Sequence, residues 1–208
     1  MKRVMIDLET LGVNPGCVIL AVGAVLFNGD CAGEWFYSRI DLRGSLKAKY
    51  HVEADTLAWW FRHGEAALEF STSGGEELPD ALARFRRWLG DGTVEVWGNG
   101  STFDNEILRR AFHRCELHEL VWPRRQDACY RTLCGTAGAG IPVDYDAVLP
   151  LIDPPEWWGE VPRHHALRDA ACQAAHAVKI LTRVGVVLCR GKHQRLACGY
   201  VGQGRRAR

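Results

Sequence analysis

With 208 residues, 47% of them hydrophobic, and a formal net charge of +1, the chain can bury one substantial core, and a single domain is expected. No apolar run approaches the ~18 residues of a membrane-spanning helix, and the N-terminus enters a strand pattern directly instead of a signal peptide, so a cytoplasmic protein with no membrane partner is expected. A near-zero charge argues against a protein that coats long stretches of duplex nucleic acid.

Taken in order, Val4–Leu8, Cys17–Phe27 and Glu34–Ile40 read as three strands. The first two are joined by a turn over Gly12–Gly16 and the next two by one over Asn28–Gly33, which predicts an antiparallel meander. Helical periodicity follows over Ala54–Arg62 and Glu77–Leu89, ahead of a fourth strand at Val94–Trp97 that should lie parallel to the first. After the turn Gly98-Asn99-Gly100, a helix is expected over Asp104–Phe112. A closing helix runs to about Leu181, with Leu167, Ala170, Ala174, Val178 and Leu181 on one face. The pattern is α/β: a mixed sheet of meander and parallel strands flanked by helices.

Charge is uneven along this order. Residues 1–104 carry 10 Lys/Arg against 15 Asp/Glu, whereas residues 105–208 carry 16 against 10. From Arg183 onward Arg190, Lys192, Arg195, Arg205, Arg206 and Arg208 appear with no acid and with several glycines between them. This divides the chain into a domain over 1–182 and a basic, glycine-rich tail over 183–208 without regular structure. Such a tail either adds sequence-independent attraction to phosphates or is a solvated terminus. The eight cysteines form no Cys-x-x-Cys pair and read as reduced, mostly buried thiols. Cys115 with His113 and His118 fits no common zinc spacing.

Four acids and one histidine stand where element ends converge. Asp7 and Glu9 are separated by one residue on the first strand, so both side chains share a face, with Cα atoms about 7 Å apart, and can converge on one hard cation. Asp104 opens a helix after the fourth strand, and His164 and Asp169 lie at the start of the closing helix. Each has a structural reading of its own. An Asp-x-Glu pair at a strand end can be a solvated turn, Ser101-Thr102-Phe103-Asp104 matches a capping box, and an acid such as Asp169 is favoured in the first turn of any helix. No single structural role asks for all five together. Since ligand sites in open α/β sheets gather at the carboxyl ends of strands, Asp104 should emerge beside Asp7.

These segments resemble the DEDDh group of 3′→5′ exonucleases, which share the ribonuclease H-like fold. Asp7-Leu8-Glu9-Thr10 is similar to the group's first motif and Asn99-Gly100-Ser101-Thr102-Phe103-Asp104 to the second. His164-His165-Ala166-Leu167-Arg168-Asp169 resembles the third, with its His-x-Ala-Leu-x-Asp pattern. The segments Asp55–Arg62 and Ala128–Leu133 resemble a small phage and bacterial branch, described as exodeoxyribonuclease VIII-like or as exoribonucleases, over roughly Val4 to Leu181. One departure is His63, which stands where that branch often has Gln.

The resemblance implies two divalent cations, Mg²⁺ or Mn²⁺, held by Asp7, Glu9, Asp104 and Asp169, with Asp104 as an outer ligand and His164 as general base for phosphodiester hydrolysis. His165 is the lesser candidate because the motif spacing selects its neighbour. Single-stranded 3′ ends are the implied partner, with Leu8, Thr10, Trp60, Phe103 and Asn99 as substrate contacts, and a homodimer stays open. In a helix Trp59 and Trp60 point about 100° apart, so at least one should be core. A module that kept the fold and lost the chemistry, and a processing subunit whose substrate arrives through a partner, are the rival readings. The first should lack a ligand or the base, and all five residues are present. RNA and DNA are not separated at this level, since contacts to the 2′-hydroxyl from backbone near Leu8 and Thr10 leave no trace in side-chain identity.

Overall fold

Alternation along Lys2–Thr10 sends Val4, Ile6 and Leu8 to one side and Met5, Asp7 and Glu9 to the other, and in the computed structural model this run is the central strand β1. The structure describes residues 2–28, 32–90, 93–143, 156–160 and 162–184. Strand β2 (Ile19–Phe27) pairs antiparallel with β1, and β3 (Ala32–Arg39) pairs antiparallel with β2. Four helices follow: α1 (Leu42–Lys47), α2 (Ala54–His63), α3 (Glu65–Thr72) and α4 (Leu78–Leu89). The chain then returns as β4 (Val94–Gly98), parallel to β1 on its other side, and continues through α5 (Asp104–Arg114) into β5 (Asp127–Cys129), parallel to β4. Helices α6 (Tyr130–Ala137) and α7 (Ala166–Arg183) complete the described fold, a mixed sheet of order β3-β2-β1-β4-β5 flanked by helices.

Each sheet face carries its own core. On one, Val4, Ile6, Val22 and Val96 meet Leu82 and Phe85 of α4 and Leu108 and Phe112 of α5. On the other, Met5, Val25, Phe27 and Trp97 meet the Leu167, Ala170, Ala174, Val178 and Leu181 stripe of α7, the face expected from its spacing. Alanine on that stripe lets the helix lie close, and Gly23 takes this to its limit. A Cβ there would stand 2.2 Å from the Ala166 carbonyl carbon. Since Gly23 is opposite Asp7 in the β1–β2 register, this close approach sets the start of α7 beside the strand-borne acids.

The expected elements are present, with differences at their edges. Strand β2 begins at Ile19, and Cys17 makes only an isolated bridge to His51. Helices α1, α3 and α6 and the three-residue β5 are additional to the sequence expectation. Helix α1 is six residues long and held by its cap, the Asp41 carboxylate accepting from the Arg43 and Gly44 amides; a segment that short has no readable period. No helix among the described residues is long and apolar enough to cross a membrane. The tail from residue 185 lies outside the described residues. Cys17, Cys115, Cys129, Cys134 and Cys172 are free thiols, of which Cys17 and Cys172 are buried.

Candidate active site

Three of the four acids meet at the carboxyl end of β1. One carboxylate oxygen from each of Asp7, Glu9 and Asp169 lies within 4.8 Å of the others. Asp7 and Glu9 arrive by the period-two alternation of β1, and Asp169 arrives in the first turn of α7. Burial raises the pKa of Asp7 and Glu9 well above the carboxylate range, and repulsion among Asp7, Glu9, Asp104 and Asp169 raises it further. Asp169 is raised as well, by burial, with His164 and Arg168 pulling the other way. Gln173, one turn beyond Asp169, donates from Nε2 to Asp7 Oδ1 (2.8 Å) and so opposes the rise at Asp7. Three crowded carboxylates, Glu9 buried and Asp7 and Asp169 half-buried, fit a hard divalent cation, which offsets the repulsion and stabilises all three in their charged form. The acidic trio is the cluster of metal-ligating type that the described residues assemble; His113, Cys115 and His118 form none.

Asp104 stands apart from the trio in its surroundings. It is 2% exposed, and its carboxylate lies near the backbone amides of Leu8, Asn99 and Asp104 itself. Burial lifts its pKa to about 7, against these amides and the Arg131 guanidinium. The capping box considered for this turn is not formed: Phe103 is the N-cap and makes no side-chain cap bond. Instead the carboxylate is buried beside the Leu8 amide of β1. Gly98 makes this possible, because a Cβ there would lie 2.4 Å from Asn105 Oδ1 and 3.0 Å from Asp104 Cβ.

The two neighbouring histidines part company. His164 has φ 58°, a left-handed conformation uncommon outside glycine, and it turns its ring edge-on to Trp59 at the acidic cleft, 4.9 Å between centroids. His165 is extended and 1% exposed, stacked on Tyr37 at 4.5 Å and edge-on to Phe70 at 5.2 Å. Burial depresses the His165 pKa to about 4, with Arg168 and Arg39 adding to the effect. A cleft of about 410 Å³ is lined by Asp7, Glu9, Asn99, Tyr130, His164 and Asp169, among others. An adjoining, mostly apolar pocket of about 400 Å³ is lined by Leu8, Glu9, Thr10, Trp59, Trp60 and Phe103. Glu9 belongs to both.

All ten residues singled out in the sequence therefore lie in or against this region. Trp60 is 2% exposed and its indole N–H donates to the Thr10 carbonyl (2.8 Å), whereas Trp59 is 37% exposed and offers its ring to the pocket. His63 stacks on Trp59 at 5.4 Å. Asn99 sits at the cleft wall, and its carbonyl accepts from Arg131 Nη2 (2.7 Å).

A family model described as the 3′-5′ exoribonuclease Rv2179c-like domain matches residues 2–181. The chain belongs to this family. Of the two branches that its motifs resemble, the family description names the exoribonucleases. No curated protein matches the sequence. Among solved structures, E. coli exonuclease I in complex with a dT13 oligonucleotide is similar over 89% of this chain and 42% of its own, at 15% identity and a TM-score of 0.60. Exonuclease I from Methylocaldum szegediense is similar over 89% and 41%, at 17% identity and a TM-score of 0.59. These are likenesses of fold, and the Rv2179c-like chain spans about two fifths of those enzymes.

Two residues of the Rv2179c-like site lie beyond the sequence reading. Gln173 carried a usable signal, since it follows Asp169 by four residues on a helix and must share its face. Tyr130 lines the cleft with its hydroxyl bonded to His176 Nδ1 (2.7 Å), and His176 Nε2 in turn donates to the Ile141 carbonyl (2.7 Å). That chain joins three segments distant in sequence and leaves no local pattern.

Proposed function

We propose that the protein removes nucleotides one at a time from the 3′ end of single-stranded nucleic acid, RNA foremost, in a reaction that requires two divalent cations, Mg²⁺ or Mn²⁺, and uses His164 as general base. The observation that carries this reading is Glu9, shared between an acidic cleft and an aromatic pocket. A phosphate held over the acids places its terminal base among Leu8, Trp59, Trp60 and Phe103, where stacking needs no particular base. The family description supplies the exoribonuclease class, and exonuclease I, of the same fold, is known in complex with dT13 and dA16 oligonucleotides.

Asp7, Glu9 and Asp169 would hold the cations, with Asp104 nearby. When bound, the cations supply Lewis-acid stabilisation of the phosphate and lower the pKa of water. The chain's own groups supply the rest. Gln173 fixes one oxygen of Asp7 and so orients the other. Asp104, buried at the start of α5, has the Leu8 and Asn99 amides beside its carboxylate and so lies against the end of β1. His164, on the rim of the cleft and aligned by Trp59, accepts the proton of the attacking water on an imidazole nitrogen. Trp60, fixed through its bond to Thr10, backs the pocket, and Trp59 presents the stacking surface.

The test is digestion of matched single-stranded RNA, single-stranded DNA and duplex, each labelled at the 5′ end, with Mg²⁺ or Mn²⁺. Stepwise shortening that a 3′-phosphate slows and Asp7→Asn abolishes is the expected result. Retained activity in folded Asp7→Asn, or internal cutting of circular single strands, overturns the reading.

A further inference from the structure

A second charged cavity, of about 440 Å³, lies against β3, an edge strand of the described sheet, lined by Tyr37, Ser38, Arg39, Phe70, Glu76 and Arg84, among others. It shares no lining residue with the acidic cleft or the aromatic pocket. The strand register fixes where it sits. Glu9 is opposite Ala21, and Ala21 is opposite Arg39, so Glu9 and Arg39 project from the same sheet face. Two strand spacings separate their Cα atoms by about 10 Å. His165, next in sequence to the proposed base, is stacked on Tyr37 and edge-on to Phe70, two residues that line the cavity.

The cavity carries cationic donors. Arg39 lies over the Phe70 ring at 5.3 Å and, among the described residues, spends one donor, from Nη1 to the Phe70 carbonyl (3.3 Å). Arg84 lies over Phe36 at 4.4 Å, donates to the Tyr37 carbonyl (3.1 Å) and pairs with Glu76, whose Oε1 also accepts from Ser38. Both guanidinium planes are thus held by rings and carbonyls, with part of the Arg39 fork uncommitted. A planar fork fixed in this way matches phosphate geometry.

We propose that this cavity is a subsite for the nucleic-acid strand on the 5′ side of the scissile bond, with Arg39 binding a backbone phosphate and Arg84, restrained by Glu76, reinforcing it. The inference rests on the exonuclease reading of the acidic cleft. A polyanion is repelled by four clustered carboxylates, and a guanidinium on the same face gives the strand an anchor close to them. The separation of about 10 Å corresponds to about three stacked nucleotide steps of ~3.4 Å, fewer in an extended strand. The terminal nucleotide alone does not reach Arg39; a longer strand does.

Binding separates these cases without requiring turnover. In an Asp7→Asn background with Mg²⁺, anisotropy is measured for a 5′-fluorescein single strand of about ten nucleotides, within the usual site size of single-strand binders, and for a 5′-fluorescein dinucleotide. Arg39→Gln should weaken the longer strand about tenfold and leave the dinucleotide unchanged. It should also make the slope of log affinity against log salt shallower by about 0.7, the loss of one phosphate contact. Glu76→Gln, which releases Arg84, should tighten the longer strand, a change that a folding defect does not produce. Equal effects on both probes, an unchanged salt slope in Arg39→Gln, or weaker binding of the longer strand in Glu76→Gln overturns the subsite. Degradation of either probe by the Asp7→Asn background overturns instead the active-site reading on which it rests.

Discussion

Replacing Gly23 by alanine puts one methyl group at the point where the start of α7 crosses the sheet. The added Cβ would stand 2.2 Å from the Ala166 carbonyl carbon, 2.3 Å from the Leu167 amide nitrogen and 2.4 Å from the Ala166 oxygen. All three are backbone atoms, so no side-chain rotation relieves the contact. Reaching an ordinary separation of 3.4 Å requires the helix start to retreat by about 1.2 Å. Overpacking of this kind costs about 1–3 kcal/mol, offset by the ~0.4–1 kcal/mol that alanine returns through the unfolded chain. A net loss of about 1–2 kcal/mol should lower Tm by roughly 2–8 °C for a domain of this size. The effect on activity should be larger than the effect on stability. Asp169 and His164 both ride on this end of α7, and a 1 Å misplacement of reacting groups costs about 10²-fold in turnover. The assay pairs thermal unfolding with kcat on a labelled single strand and with Mn²⁺ titration by calorimetry. Gly33→Ala serves as control, since the nearest atom to its added Cβ is 3.8 Å away. Wild-type turnover and metal affinity in Gly23→Ala would refute the claim that close approach at this glycine positions Asp169.

Other perturbations follow from the same geometry. Asp104 is protonated more readily when folded, from 3.8 to about 7, so in metal-free protein its contribution to stability falls as pH climbs between those values, by about 4 kcal/mol at most. His165 works in the opposite sense, losing stability as pH falls from 6.5 towards 4. The measurement is therefore the difference in Tm between wild type and Asp104→Asn from pH 5 to 8 in chelator: wild type should lose ground as pH rises, and saturating Mg²⁺ should shrink the loss. His164→Ala, and His164→Gly, which tolerates the left-handed backbone, should each lower kcat by roughly 10²–10⁴-fold with Tm nearly kept. His165→Ala should do the reverse, emptying a buried stack at a cost in Tm but far less in kcat; the opposite ranking of the two would reverse the base assignment. Trp59→Ala should raise KM with kcat little changed, while Trp60→Ala, which empties a buried site and strands the Thr10 carbonyl, should cost roughly 3–5 kcal/mol in denaturant unfolding.

How much of this was legible in the sequence depended on the range over which each cause acts. Asp7 and Glu9 were readable as a pair because strand alternation is a local rule, and the Leu167-to-Leu181 stripe because helix periodicity is another. The separation of His164 from His165 was suggested by motif spacing, but its physical basis is a left-handed backbone at His164 and a cavity between Tyr37 and Phe70, neither of which is local. Gly23 looked like any glycine in an apolar strand, because its role is set by a helix more than 140 residues later. At Asp104 the sequence left two readings open, a site acid and a capping box with Ser101; Phe103 is the N-cap and makes no side-chain cap bond, so the capping box is not formed.

These features converge on one trade. Four acids of like charge, all raised in pKa by burial, are a liability to a folded chain in the absence of cations. The fold carries that liability between two independent cores, one on each face of β1, so that the strand presenting Asp7 and Glu9 is clamped by Leu82, Phe85, Leu108 and Phe112 from one side and by α7 from the other. Glycines at 23 and 98 then let the start of α7 and the start of α5 reach the carboxyl end of that strand. Precision in the site thus comes from backbone proximity, with the carboxylates carried on rigid elements rather than on loops. It follows that substitutions at the two glycines should impair metal binding before they unfold the protein, whereas substitutions in either core should do the reverse.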